Sequence, residues 1–215
     1  MSEPVHLART RESYGVWAQA YADLFGDVAV AHPLERGLFA AFADLVTSST
    51  RSPVADLGCG PGHFTAHLAS LGLSVFGIDL TPGFVALARK AHPAIRYDEG
   101  SMLDLDVRSG SLGGAVSWYS LIHAPPADVP LMLAEIARVL EPGGHLLVGL
   151  KLAARGVTEP EEYDHKVVTA WRWPLNAMSA LLADAGLVET ARAEREPEPD
   201  ERDRQGYLIA RKTGG

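Results

Sequence analysis

The chain has 215 residues, 47% of them apolar and 21% charged, with a formal net charge of −8. That length and balance predict one globular domain with enough apolar side chain for a core, without metal staples. The single cysteine, Cys59, excludes an intramolecular disulfide and any cysteine-rich zinc site. Scattered basic residues exclude the clustered Lys/Arg surface that a nucleic-acid partner demands.

The first residues, Met1 to Glu12, are polar and mixed in charge, unlike a secretory leader. No run reaches the roughly 18 consecutive apolar residues of a membrane span. A cytoplasmic protein without a membrane partner is therefore expected. Residues 12–46 read as helical, with Trp17, Tyr21, Leu24 and Phe25, then Leu34, Leu38, Phe42 and Leu45, at 3–4-residue spacing. Pro33 suits the first turn of the second helix. Residues 1–50 are thus expected to form an N-terminal helical cap.

From residue 53 to 151 short apolar runs alternate with helical patterns. Strands are expected at Val54–Leu57, Ser74–Ile78, Ile95–Tyr97, Gly114–Tyr119 and His145–Leu150. Helices are expected at Phe64–Leu71, Pro82–Ala91 and Val129–Leu140, the last stopped by Glu141-Pro142-Gly143-Gly144. This alternation implies a parallel sheet with right-handed crossovers. Residues 152–173 are polar and irregular, a variable cap segment. In residues 174–215 a helix at Pro174–Ala185 precedes a closing hairpin of Leu187–Arg195 and Tyr207–Arg211. The charged stretch 196–204 between its arms reads as a solvated loop.

The most informative segment is Val54-Ala55-Asp56-Leu57-Gly58-Cys59-Gly60-Pro61-Gly62, an apolar strand running into a glycine loop before a helix. Glycine there permits positive φ and lets a ligand approach the backbone, while the helix start favours an anionic group. A dinucleotide loop, G-x-G-x-x-G, would need glycine where the chain has His63. Asp79 ends the second expected strand, where an acid accepts hydrogen bonds from a ribose diol and repels a 2′-phosphate. A tight turn beside an exposed carboxylate is the plainer alternative.

Asp56 to Gly62 resembles motif I of the class I S-adenosylmethionine-dependent methyltransferases, and Gly77-Ile78-Asp79-Leu80 resembles their motif II. The resemblance implies an α/β, Rossmann-like, mostly parallel seven-stranded sheet with flanking helices and a closing antiparallel hairpin. It also implies S-adenosylmethionine as cofactor. Carried over, Gly58, Gly60 and Gly62 shape the cofactor pocket, Asp56 orients the loop or the ammonium group, Asp79 takes the ribose, and Leu80 lies beside the adenine. Glu99-Gly100-Ser101-Met102 resembles the segment that caps the adenine edge, with Ser101 in place of the usual acid, so that contact falls to a backbone or hydroxyl group near Met102. The Ala115–His123 and Arg138–Gly144 segments resemble the fourth strand with its turn and the fifth helix ending. Cys59, Tyr21 and Trp118 join the expected cofactor contacts.

The implied activity is methyl transfer to a small-molecule acceptor, by in-line displacement. His123, just past the fourth strand, and His165, in the cap segment, are the candidate catalytic side chains; a capping or solvated histidine is the alternative for each. Tyr14, Trp17, Tyr119, His123 and Trp171 are expected to line the acceptor side. His63 and His67 share a helix at i, i+4 spacing, but with no acid or cysteine matched to them no metal is expected. Pro125-Pro126 does not follow the fourth strand directly, unlike the Asn-Pro-Pro-Tyr motif of amino methyltransferases, which favours a small molecule. A monomer or homodimer is expected. A cofactor-holding protein without transferase activity, or a nucleotide-dependent oxidoreductase, are the other readings; His63 opposes the latter.

Overall fold

The computed structural model describes residues 4–25, 32–165, 167–199 and 201–214, without the side chains of Val5, Trp17 and residues 19–25. Two helices come first, α1 (Val5–Phe25) and α2 (Pro33–Ser49). Pro33 opens α2, and its first turn is capped by His32, whose Nδ1 accepts the Leu34 N–H at 3.1 Å. The alternating part then gives β1 (Val54–Leu57), α3 (His63–Ser70), β2 (Val75–Asp79), α4 (Pro82–Ala91), β3 (Tyr97–Glu99) and β4 (Leu112–Trp118). A single 3-10 turn, Leu121–His123, leads to α5 (Val129–Val139) and β5 (Leu140–Lys151). The remainder is β6 (Glu161–Asp164), β7 (Thr169–Arg172), α6 (Leu175–Asp184), β8 (Leu187–Arg195) and β9 (Gln205–Lys212).

Seven strands form one sheet in the order β3-β2-β1-β4-β5-β9-β8. The first five are parallel, and β9 runs antiparallel to both β5 and β8. Every residue of β1 and β4 is buried, as expected for central strands covered on both faces. Neighbouring residues point to opposite layers. Ala115, Leu146, Val148, Leu208 and Ala210 join the core beneath α5 and α6. Val116, Leu147, Tyr207 and Ile209 join the core beneath α2 and α3. The two-residue period of the strands therefore builds two apolar layers at once.

Three expectations change. The first helix begins at Val5 and not near residue 12. Among the described side chains its buried positions are Leu7, Tyr14 and Ala18, too narrow a stripe to be read from periodicity. The cap segment contains a hairpin, β6 paired with β7, where irregular chain was expected. Only Tyr163 of β6 is buried, so no alternation marks it; Arg172 stacks over that ring at 4.1 Å. β5 starts five residues early, at Leu140, because Gly143 (φ 85°) lets the strand pass through the Glu-Pro-Gly-Gly turn as an irregular segment.

One close approach fixes the pairing of β2 with β3. A Cβ on Gly77 would lie 2.6 Å from the Tyr97 ring and 2.7 Å from the Cys59 Sγ, both buried. Gly77→Ala is expected to destabilise the fold by about 1–3 kcal/mol through overpacking. Urea unfolding checks this: the midpoint should fall with an unchanged slope.

Candidate functional site

The parallel order reverses between β1 and β4, and open α/β sheets bind ligands outside the carboxyl ends of such strands. A cavity lies there. Its floor is the glycine loop after β1, the end of β2 and the Gly100–Met102 turn; Trp118, Tyr119 and Ser120 form one wall, and α1 crosses the top with Leu7, Thr10 and Tyr14.

Asp79 joins the floor together. Its Oδ2 accepts the Gly60 N–H and its Oδ1 the Thr81 N–H, each at 2.8 Å. The end of β2, the glycine loop and the start of α4 are thereby held on one carboxylate. Burial raises the Asp79 pKa, and the two backbone donors work against that rise. The Thr81 hydroxyl also bears on this carboxylate; with about four lone-pair sites, the carboxylate still keeps acceptor capacity for a ligand on the cavity side. Gly60 adopts φ 55° with open space where a Cβ would stand, so the loop backbone is bare toward that space.

The other two glycines answer to packing. A Cβ on Gly58 would lie 2.3 Å from the Ser120 Cβ, and Ser120 donates its hydroxyl to the Leu57 carbonyl at 2.7 Å. Gly62 caps α3 in the left-handed region (φ 86°) against the Tyr97 hydroxyl and is not on the cavity wall. Asp56 is absent from the wall as well. It is 1% exposed and accepts the Thr65 hydroxyl at 2.6 Å, so its place is beneath the loop, toward α3. Burial pushes its pKa up to about 7.

On the opposite wall Trp118 stacks on Tyr207 at 5.2 Å and packs against Phe39 at 4.5 Å. Tyr119 has φ 54°, the one positive value among the described non-glycine residues. Such a conformation persists when its surroundings over-determine it. Here the Tyr119 hydroxyl donates to Glu35 of α2 at 3.2 Å and lies 3.2 Å from the Tyr207 hydroxyl. Glu35 also accepts Tyr207 at 2.5 Å and Arg195 at 3.1 Å, and Glu201 holds the other side of that guanidinium.

The acceptor-side candidates converge. The Tyr14 hydroxyl lies 2.9 Å from His123 Nε2, and the His123 and His165 rings sit 5.2 Å apart, edge to face. His165 reaches this pair from the β6–β7 turn without lining the cavity. Burial, with the neighbouring His165, lowers the His123 pKa to about 3, against a backbone bond to Thr169. The imidazole is neutral near pH 7, and too weakly basic to take a proton efficiently.

Of the expected residues, Cys59, Leu80, Ser101, Met102 and Trp118 line the cavity with Gly58, Gly60 and Asp79, and so do Tyr14, Tyr119 and His123. Trp171 packs against the core beneath α5 and is not on the wall. Trp17 and Tyr21 fall in α1, but their side chains lie outside the described residues. Thr10 and Leu7 were missed because no helix was expected so early, and Phe84 because it occupies an ordinary apolar position of α4. Among the described residues no group of three or more His, Cys, Asp or Glu is placed to hold a metal.

Comparison with known proteins agrees with this architecture. Residues 54–144 match the family model described as a methyltransferase domain. A malonyl-[acyl-carrier protein] O-methyltransferase from Erwinia billingiae is 32% identical over 133 residues, which cover 60% of this chain and 52% of that protein. The chain spans about half the length of curated relatives at this level, and 28% of a bifunctional one. The 1,6-didemethyltoxoflavin-N1-methyltransferase of Burkholderia thailandensis, solved with its acceptor and S-adenosylhomocysteine, superposes with a TM-score of 0.74 at 20% identity, covering 100% of this chain and 94% of that one. The [4+2]-cyclase SpnF gives a TM-score of 0.78 at 16% identity, covering 100% and 99%.

Asp56 supplies a test of the loop's foundation. Its folded pKa, about 7, lies above the ordinary 3.8, so the stability it confers is complete below pH 3.8 and lost as the pH rises through 7. Asp56→Asn removes that loss. Relative to the native chain, the variant should gain about 2 kcal/mol between pH 5 and pH 8. Chemical denaturation at the two pH values measures the difference.

Proposed function

We propose that the chain is a methyltransferase of the class I S-adenosylmethionine-dependent type and transfers a methyl group from S-adenosylmethionine to a small molecule, a reading supported by the match of residues 54–144 to a methyltransferase domain. The observation that carries this is the Asp79 carboxylate, which keeps acceptor capacity at the cavity edge beside the bare Gly60 backbone. These residues fit the cofactor. Asp79 would hold the ribose hydroxyls, Gly58 and Gly60 would admit the amino-acid part, and Leu80, Ser101 and Met102 would flank the adenine. Asp56 and Gly62 would hold the loop in shape from behind.

When bound, the cofactor supplies a methyl on a positively charged sulfur, open to in-line attack. The chain's task is alignment and the exclusion of water, worth about 7–11 kcal/mol when geometry is well fixed. Trp118 and Tyr119 would wall the reacting end, with their rings favourable to a nearby cation. Tyr14 and His123 would orient the acceptor by neutral hydrogen bonds, with His165 closing over them. We assign His123 to orientation and not to proton removal, given its low basicity.

We read residues 1–50 as the helical cap, 53–151 as the cofactor core, 152–173 as the variable cap, and 174–215 as the closing helix and hairpin of one domain. We further assign the protein to the cytoplasm, as a monomer or homodimer without nucleic-acid or membrane partners. Among the described residues no helix is long and apolar enough to cross a membrane.

A second reading is a cofactor held without methyl transfer, which the low basicity of His123 would suit. Labelled-methyl transfer to an acceptor panel separates the two. For the first reading, calorimetry should show S-adenosylhomocysteine binding to the native chain. Asp79→Ala, checked for folding by near-UV circular dichroism, should weaken it about 10- to 150-fold, the loss of a charged acceptor of two hydroxyls. No binding by the native chain, or equal affinity in a folded variant, overturns the assignment.

A further inference from the structure

The half of the cavity roofed by α1 differs in chemistry from the glycine-loop half. Its walls are Leu7, Thr10 and Tyr14 of α1, Phe84 of α4, Met132 of α5, and His123. Among the described residues lining the whole cavity there is no lysine or arginine, and the one carboxylate is Asp79. Asp79 is already turned to the glycine loop and Thr81. Lys151 does not line the cavity. Its ammonium stands over the Tyr119 ring, 4.8 Å from the centroid, and lies in the field of Glu201, Asp203 and Glu35.

The polar pair in this half is Tyr14 with His123, 2.9 Å apart. Whichever atom of the pair carries the shared proton, phenol and neutral imidazole together present donors and acceptors without net charge. Apart from Thr10, the rest of this half of the wall is apolar or aromatic. A carboxylate placed here would lose its hydration with no lysine or arginine among the described wall residues to replace it, a cost that the positive sulfur of a bound cofactor would offset only in part. A flat apolar body would instead bury itself against Phe84, Tyr14 and Met132, with one polar group reaching the pair.

We propose that the acceptor taken by this half of the cavity is uncharged: a flat, largely apolar molecule that offers one neutral hydroxyl or N–H group to Tyr14 and His123. This rests on the methyl-transfer reading and narrows it, setting the chain apart from a carboxylate acceptor of the malonyl type named for the Erwinia relative. Specificity then comes from what the wall lacks as much as from what it offers.

The test uses a pair of probes that share one flat ring system, 2-naphthol and 2-naphthoate, titrated by calorimetry at pH 7 into the full chain saturated with S-adenosylhomocysteine. A parallel titration uses sinefungin, whose cationic amine stands where the sulfonium would be, so that attraction to the cofactor is separated from preference of the wall. The naphthol should bind at least tenfold more tightly than the naphthoate with either cofactor analogue. Tyr14→Phe should weaken naphthol binding, and Thr10→Arg, which puts a cation on the wall, should raise naphthoate affinity and narrow or invert the ratio. Equal or tighter naphthoate binding, no binding by either probe, or a ratio untouched by Thr10→Arg overturns the proposal. The two failures are distinct: if S-adenosylhomocysteine itself does not bind, the methyl-transfer reading falls, whereas binding without the expected ratio removes only the uncharged-acceptor inference.

Discussion

The site is organised around one carboxylate accepting two backbone N–H groups. Asp79 ends a central strand, and its oxygens reach in two directions, to Gly60 in the loop after β1 and to Thr81 before α4. Hydrogen bonds to a charged acceptor are stronger than neutral ones, and this pair is sheltered from water. The loop's shape is therefore set by the neighbouring strand and not by the loop alone. Gly58 lies against Ser120 and Gly62 against Tyr97, so three strand ends fix one turn. Gly60, the glycine with nothing opposite it, is the one left bare toward the cavity.

Much of this could be read from residues. The alternation of apolar runs and helical spacing gives the five parallel strands, and the glycine loop with Asp79 places the floor of the cavity. Those signals are local, since each depends on residues close in sequence or on a spacing that the backbone enforces. What escaped is what depends on distant partners. Helix α1 carries a polar run, Arg9 to Ser13, in its first half, and its cavity-facing Thr10 and Tyr14 gain meaning only when packed across α4. The β6–β7 hairpin is marked by one buried ring, Tyr163. The Asp56 position beneath the loop, and the Trp171 position away from the wall, follow from which face of a strand meets which layer, a choice that motif matching does not make.

The ionisable groups around the cavity share a trend. Burial raises the Asp56 carboxyl and the Cys59 thiol toward their protonated forms and lowers His123 toward its neutral form. A dry pocket that suppresses charge on its own side chains strengthens every dipole left in it. Asp79 follows the same trend, but two backbone donors and the Thr81 hydroxyl work against the rise. The contrast divides the cavity into a hydrogen-bonding floor and a neutral roof.

The cluster around Glu35 bears on how the chain is made. Its carboxylate, 7% exposed, is shared by Tyr119, Arg195 and Tyr207, residues 84, 160 and 172 positions further along. During vectorial synthesis on a ribosome, the nascent glycine loop and first five strands emerge before Arg195 and Tyr207 exist. Until then, closing α2 onto the sheet would strand an anion in an apolar layer, which is costly. The second helix should therefore dock only once β8 and β9 have emerged, and that hairpin acts as a clasp on the layer beneath α2.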